Sequence, residues 1–216
     1  MTALRAGPGP ALRMTLELAA PALDHAANHL WRPAGLARRY RAYLVAMHQI
    51  VRASVPLMEL AARRSDGPLR AYLAEHVEEE RHHDDWLLAD LAAAGGDPGL
   101  VNAAAPPLAV ARLVGAQYYW IEHWHPPCLL GYIAALEGNA PAPALADHLA
   151  AAAGLPPAAF RTLRHHADVD TGHSDAVFDL LDRLPLSAPQ ARAVTVNALS
   201  TVTALTDLFD HLGAVT

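Results

Sequence analysis

The sequence predicts an all-α chain, and three observations carry that prediction. No run alternates Val, Ile, Thr and aromatic residues between Asn-Gly or Asp-Gly turns, so strand signals are nearly absent. Ala, Leu and Arg recur instead at helical spacing along the whole length. Hydrophobic residues make up 53% of the 216, enough to bury the core of a single compact helical bundle.

Prolines and glycines cut this chain into about seven to eight helices. Residues 1–14 read as a loose N-terminal segment, broken at Gly7, Pro8, Gly9 and Pro10, and 15–216 as one helical domain. A first helix is expected over about 15–30 and a second over about 35–64, kinked at Pro56, which lacks a backbone donor. The third starts at Ser65-Asp66-Gly67-Pro68, where Asp66 can cap and Pro68 suits the first turn, and runs unbroken to Gly95-Gly96. A fourth covers about 107–124, and Pro126-Pro127 restarts the chain into a short fifth ending near Glu137-Gly138. A short sixth lies around 143–152, a seventh over about 157–183, and Pro185 to Pro189 separates it from an eighth over about 188–212.

Composition narrows the function classes. The formal net charge is −6, and the 16 Lys+Arg are scattered rather than gathered in a stripe, so nucleic acid is not an expected partner. The first twenty residues make a poor signal peptide, and no stretch approaches the ~18–20 uninterrupted apolar residues of a membrane span. A single cysteine, Cys128, excludes an intramolecular disulfide and suits a reducing compartment. The expectation is a soluble cytoplasmic protein without a membrane partner.

Histidine is the excess: 13 residues, most in clusters at 25–29, 76–83, 123–125 and 165–173. On the third helix, Leu69, Leu73, His76, Glu80, His83, Leu87 and Leu91 fall on one stripe, so polar groups interrupt an apolar face. Glu78, His82 and Asp85 lie elsewhere and read as solvated. On the seventh, Leu163, His166, Asp170, His173, Val177, Leu180 and Leu184 share a stripe in the same way. An isolated buried histidine is more often a satisfied core residue than a ligand. Three ligand-type groups in register, facing a second helix with the same property, favour metal, because burying unpaired charge is costly. Glu137 ends an apolar segment at the core edge, with Glu122 among the aromatics of the fourth helix as its rival.

Glu80, His83, Glu137, His166, Asp170 and His173 together offer three imidazoles and three carboxylates. Such a set without thiolate suits iron or manganese better than zinc, and six ligands suit two ions better than one. The Glu80-x-x-His83 spacing is one that di-iron carboxylate bundles use, since residues three apart share a helix face. A second such motif is missing, and His166-x-x-x-Asp170-x-x-His173 stands in its place.

The ordered set Glu79-Glu80-Arg81-His82-His83 with Asp85-Trp86-Leu87-Leu88-Ala89-Asp90-Leu91, then "PPCLLGYIAALEG", then His166-x-x-x-Asp170-x-x-His173, resembles the heme-oxygenase-like diiron oxidases and oxygenases, also called iron-containing redox enzymes. The resemblance runs from about residue 40 to the C-terminus. It implies the heme oxygenase-like fold, and a labile site for two Fe(II) held by Glu80, His83, Glu137, His166, Asp170 and His173. It also implies O2 and a small molecule as substrates, with hydroxylation, desaturation or C–C cleavage as the reaction, together with an unidentified electron donor. Such proteins commonly take a further carboxylate from the preceding helix, where this chain has Met47-His48-Gln49. Either His48 substitutes, Glu59 or Glu79 reaches in, or the second iron is held more loosely.

Tyr119, Glu122 and His123, beside Tyr118, Trp120 and Trp124, are the candidate substrate pocket, with aromatic core packing as the plainer reading of the rings. Three rival functions remain in view. A heme-degrading oxygenase would draw on His25, His29 or His48, but no Gly-rich distal segment accompanies them. A thiaminase-like hydrolase would need Cys128 as nucleophile, with no His at nucleophile spacing. The third is a non-catalytic helical binding or metal-storage protein, or a family member with a decayed site; competent residues at all six positions speak against decay. A homodimer is the base-rate expectation for helical enzymes of this size.

Overall fold

A computed structural model describes residues 7–101, 103, 105–138, 142 and 144–215, except for the side chains of 168–174. The described residues form ten α-helices and no strands: α1 (Pro8–Leu30), α2 (Leu36–Arg63), α3 (Gly67–Glu80), α4 (His83–Ala93), α5 (Pro98–Val101), α6 (Leu108–Tyr119), α7 (Leu129–Glu137), α8 (Leu145–Ala153), α9 (Arg161–Arg183) and α10 (Ala188–Gly213). The all-α prediction holds, and the helix number rises from the expected seven or eight. The extra helices come from the expected third one, which is two, and from the short turn α5.

The N-terminal segment expected to be loose up to residue 14 is helical from Pro8. Pro8 and Pro10 occupy the first turn, where a missing N–H costs nothing. Gly9 lets α1 approach α9, donating its N–H to Asp182 Oδ1 at 2.9 Å, and Leu12 is fully buried. α1 ends at a turn held by a buried arginine. Arg39 donates from Nε to Leu30 O at 2.8 Å, from Nη1 to Ala34 O at 2.5 Å and from Nη2 to Arg32 O, satisfying one carbonyl that the helix end leaves open and two in the turn after it.

α10 packs along α1, α7 and α6, while α2 packs on α3 and α4, and α9 on α1, α7 and α4. Gly131 makes the α7–α10 approach close, because a Cβ there would run into the carbonyl of Val194. A Ser187–Gln190 capping box starts α10, with the Ser187 N–H donating to Gln190 Oε1 at 2.9 Å. Buried Asn197 donates to Gln117 Oε1 and to Cys128 O at 2.8 and 2.7 Å, tying α10 to α6 and to the start of α7. The expected fourth helix changes character at its end, where Trp120–Trp124 form a π-helical turn. No helix among the described residues is long and apolar enough to cross a membrane.

Candidate metal centre

The site forms where α3, α4, α7 and α9 meet. Glu80 is the last residue of α3 and His83 the first of α4. Between them Arg81 is extended (φ −61°, ψ 128°) and His82 is left-handed (φ 73°, ψ 6°). The expectation of one continuous helix is therefore corrected at the motif itself. No Gly or Pro marks the break. Asp84 and Asp85, acidic residues in the first turn of α4, are the signal that suits a new helix N-terminus. Across the break His83 Nδ1 lies 3.1 Å from Glu80 Oε2.

His166 comes from the second turn of α9, and the start of that helix is anchored twice. Tyr40 donates its hydroxyl to Ala159 O at 2.8 Å, and Asp90 Oδ2 accepts the Thr162 N–H at 2.9 Å. Burial raises the Asp90 pKa, with the Thr162 hydrogen bonds opposing it. The His166 ring stands edge-on to His83 at 5.3 Å between centroids. One ligand atom from each of Glu80, His83 and His166 lies within 4.8 Å of the others. Trp86 packs on His83 at 4.3 Å, and Arg161 covers the other partner, its guanidinium 4.2 Å from the Trp86 ring centre.

Glu137 closes α7 and reaches the same region. Its Oε1 lies 2.7 Å from Nε2 of His76, and Nδ1 of His76 lies 3.3 Å from Glu79 Oε2. Burial disfavours the charged His76 ring, but Glu137, Glu80 and Glu79 together outweigh it and raise its pKa. Burial likewise disfavours ionised Glu80, yet the hydrogen bond to His83 and the charges of His83, His166 and His76 lower its pKa. Glu80 thus stays ionised among imidazoles inside the protein, and a charge buried in this way calls for a partner or a metal ion.

Beside these groups runs a cavity of about 170 Å³, with His76, Glu80, Glu137 and His166 in its wall. The rest of the wall is mainly apolar: Met47, Ile50 and Met58 from α2, Ile133 and Leu136 from α7, and Leu205 and Phe209 from α10, with hydroxyls from Ser54, Tyr132 and Thr162. Sequence reading missed Tyr132 and the α2 and α10 linings, because their apolar spacing is indistinguishable from core packing.

Of the expected site residues, Glu80, His83, Glu137 and His166 converge. The side chains of Asp170 and His173 lie outside the described residues, on a backbone continuous with His166 in α9. His48 is buried, but its Nδ1 faces the Asp84 carbonyl at 3.2 Å and the residue is absent from the cavity wall. Glu79 is half exposed and engages His76 instead, while Glu59 pairs with Arg63 at 3.9 Å. Tyr119, Glu122 and His123 are exposed and do not line this cavity, which corrects the expected pocket. Tyr119 closes α6, and the π-helical turn after it carries Glu122 and His123 to the surface and buries Ile121 instead.

A family model described as iron-containing redox enzyme matches residues 41–206, a span that encloses every candidate ligand. The chain belongs to the iron-containing redox enzyme family. Among solved structures, it is similar to a domain of unknown function with a heme oxygenase-like fold from Shewanella denitrificans, at 17% identity and TM-score 0.78, covering 91% of this chain and 89% of that one. It is also similar to a TenA homolog from Pseudomonas syringae pv. tomato, at 14% identity and TM-score 0.75, covering 94% and 91%. At these identities the likeness establishes the heme oxygenase-like fold. A comparison with curated protein sequences finds no match. The donor set agrees with the family: carboxylate oxygens and imidazole nitrogens without thiolate are what iron takes.

Proposed function

We propose that this member of the iron-containing redox enzymes is a non-heme diiron oxidase or oxygenase that uses O2 to oxidise a small, largely apolar molecule. The observation that carries the reading is the convergence of Glu80, His83 and His166 within 4.8 Å, beside a cavity whose wall includes two of them. Glu80, His83, Glu137 and His166 would hold Fe(II), with Asp170 and His173 completing the set; Mn is the alternative metal. Bound iron would supply the one-electron chemistry that O2 activation requires.

The protein's own contribution is binding and exclusion. The apolar wall removes substrate from water, and the Ser54, Tyr132 and Thr162 hydroxyls give a polar point for orienting it. Hydroxylation, desaturation and C–C cleavage all begin with an oxidant formed next to such a held substrate, and electrons come from an external donor. A cysteine-nucleophile reading, kept in view by the likeness to a TenA homolog, is disfavoured. Cys128 is fully buried and outside the cavity wall, and burial pushes its thiol up to about 12. Heme handling is disfavoured too, since His25 is exposed and His29 pairs with Arg32 Nη1 at 2.6 Å.

The test is anaerobic titration of metal-free protein with Fe(II), followed by an O2 pulse with and without a panel of aliphatic acids, amines and alcohols. Two ions per chain and substrate-dependent O2 consumption are expected. No iron bound, or O2 consumption indifferent to every substrate, would leave a binding or storage protein as the better reading.

A further inference from the structure

Two ions need a donor that the preceding helix does not provide. Among the described residues, α2 brings no carboxylate or imidazole to the cavity wall; its share there is aromatic, aliphatic, Met and Ser54. His48 turns instead to the Asp84 carbonyl. On α3, however, His76 lies one turn before Glu80, and its side chain is 96% buried. It shares the cavity wall with Glu80, Glu137 and His166.

We propose that His76 is a metal ligand of this site, and that its Nε2 and the Glu137 carboxylate would hold a second ion. The inference rests on the diiron reading above. Its geometric basis is the way the ring is held. Histidines that ligate metal usually give their other ring N–H to a carboxylate, which fixes the tautomer and aims the lone pair. His76 has that arrangement: Nδ1 meets Glu79 Oε2 at 3.3 Å on the solvent side, and the Tyr72 ring stacks on it at 5.5 Å. Nε2 then points inward, 2.7 Å from Glu137 Oε1. In metal-free protein a proton bridges that contact; a cation would take the proton's place and bond both atoms. Glu79 is then a positioning residue for His76 rather than a ligand.

The experiment counts Fe(II) per chain by anaerobic equilibrium dialysis and records Mössbauer spectra of the loaded protein, for the parent, His76→Gln and His76→Glu. Far-UV circular dichroism verifies that each is folded. A glutamine keeps an N–H donor toward Glu137 but is a poor ligand, whereas a glutamate ligates well and cannot donate. If His76 is a ligand, the parent binds two ions, His76→Gln binds one, and His76→Glu binds two with a changed spectrum for one of them. Two ions in His76→Gln, one ion in both variants, or one ion in the parent overturns the inference while leaving an iron site. A parent that binds none overturns the diiron reading itself. Glu79→Gln is expected to retain two ions with the second weakened about 10- to 100-fold.

Discussion

Glu80 and His83 meet at 3.1 Å across a break between two helices, not along the face of one. The residue that makes the break is His82, held at φ 73°. A left-handed conformation costs a non-glycine residue about 1–2 kcal/mol, and such strain gathers at functional sites. His82→Gly should therefore stabilise the protein or leave it unchanged, with a gain of up to about 1 kcal/mol in urea unfolding. Were the helix continuous, the same change would cost about half a kcal/mol, so the sign of the shift tests the geometry.

The pH dependence of the metal-free protein follows from Glu80 and His76. Glu80 has a lowered pKa when folded, so its contribution is present above its ordinary 4.5 and is lost as pH falls through the folded value. His76 has a raised pKa, so its contribution is present below its ordinary 6.5 and is lost as pH rises through the folded value. Thermal unfolding of metal-free protein should peak between about 4.5 and 6.5 and decline on both sides. A parent whose alkaline limb matches that of His76→Gln would contradict this assignment.

Leu205 lines the cavity from α10, which supplies no proposed ligand. Leu205→Trp should fill part of the cavity and weaken binding of a medium-chain alcohol, read by calorimetry, by about tenfold or more. Iron stoichiometry should stay at the parent's value. Loss of iron alongside the alcohol would mean that the wall and the metal centre cannot be separated in this way.

Gly131 is expected to be intolerant of a single methyl group. Its Cβ would meet the Val194 carbonyl, a backbone atom that cannot rotate away. Gly131→Ala should cost about 1–3 kcal/mol by chemical denaturation, because α7 and α10 must separate. Since α7 ends at Glu137, the variant should also bind iron more weakly.

Cys128 should behave as a small hydrophobe. With its thiol pushed up to about 12, a colourimetric thiol reagent at pH 8 should label it only as fast as the protein unfolds, and at once in denaturant. Rapid labelling of folded protein would reopen a nucleophilic role.

Sequence alone determined the all-α class and four of the side chains that converge, because helical periodicity makes a polar group on an apolar stripe visible: Glu80, His83 and His166 interrupt runs of leucine, and Glu137 closes another. The family followed from the order of those motifs. The tertiary structure decided what periodicity does not encode. The break at Arg81-His82 carries no Gly or Pro, and depends on how α3 and α4 pack on α2. Buried Arg39 is legible only once the α1 end brings three carbonyls to it. Tyr119, Glu122 and His123 looked like a pocket because aromatic clustering in sequence says nothing about direction, and the end of α6 with the π-helical turn after it places them at the surface. His76 sat on the right stripe throughout, but its meaning depends on Glu137, 61 positions away in sequence and 2.7 Å away in space.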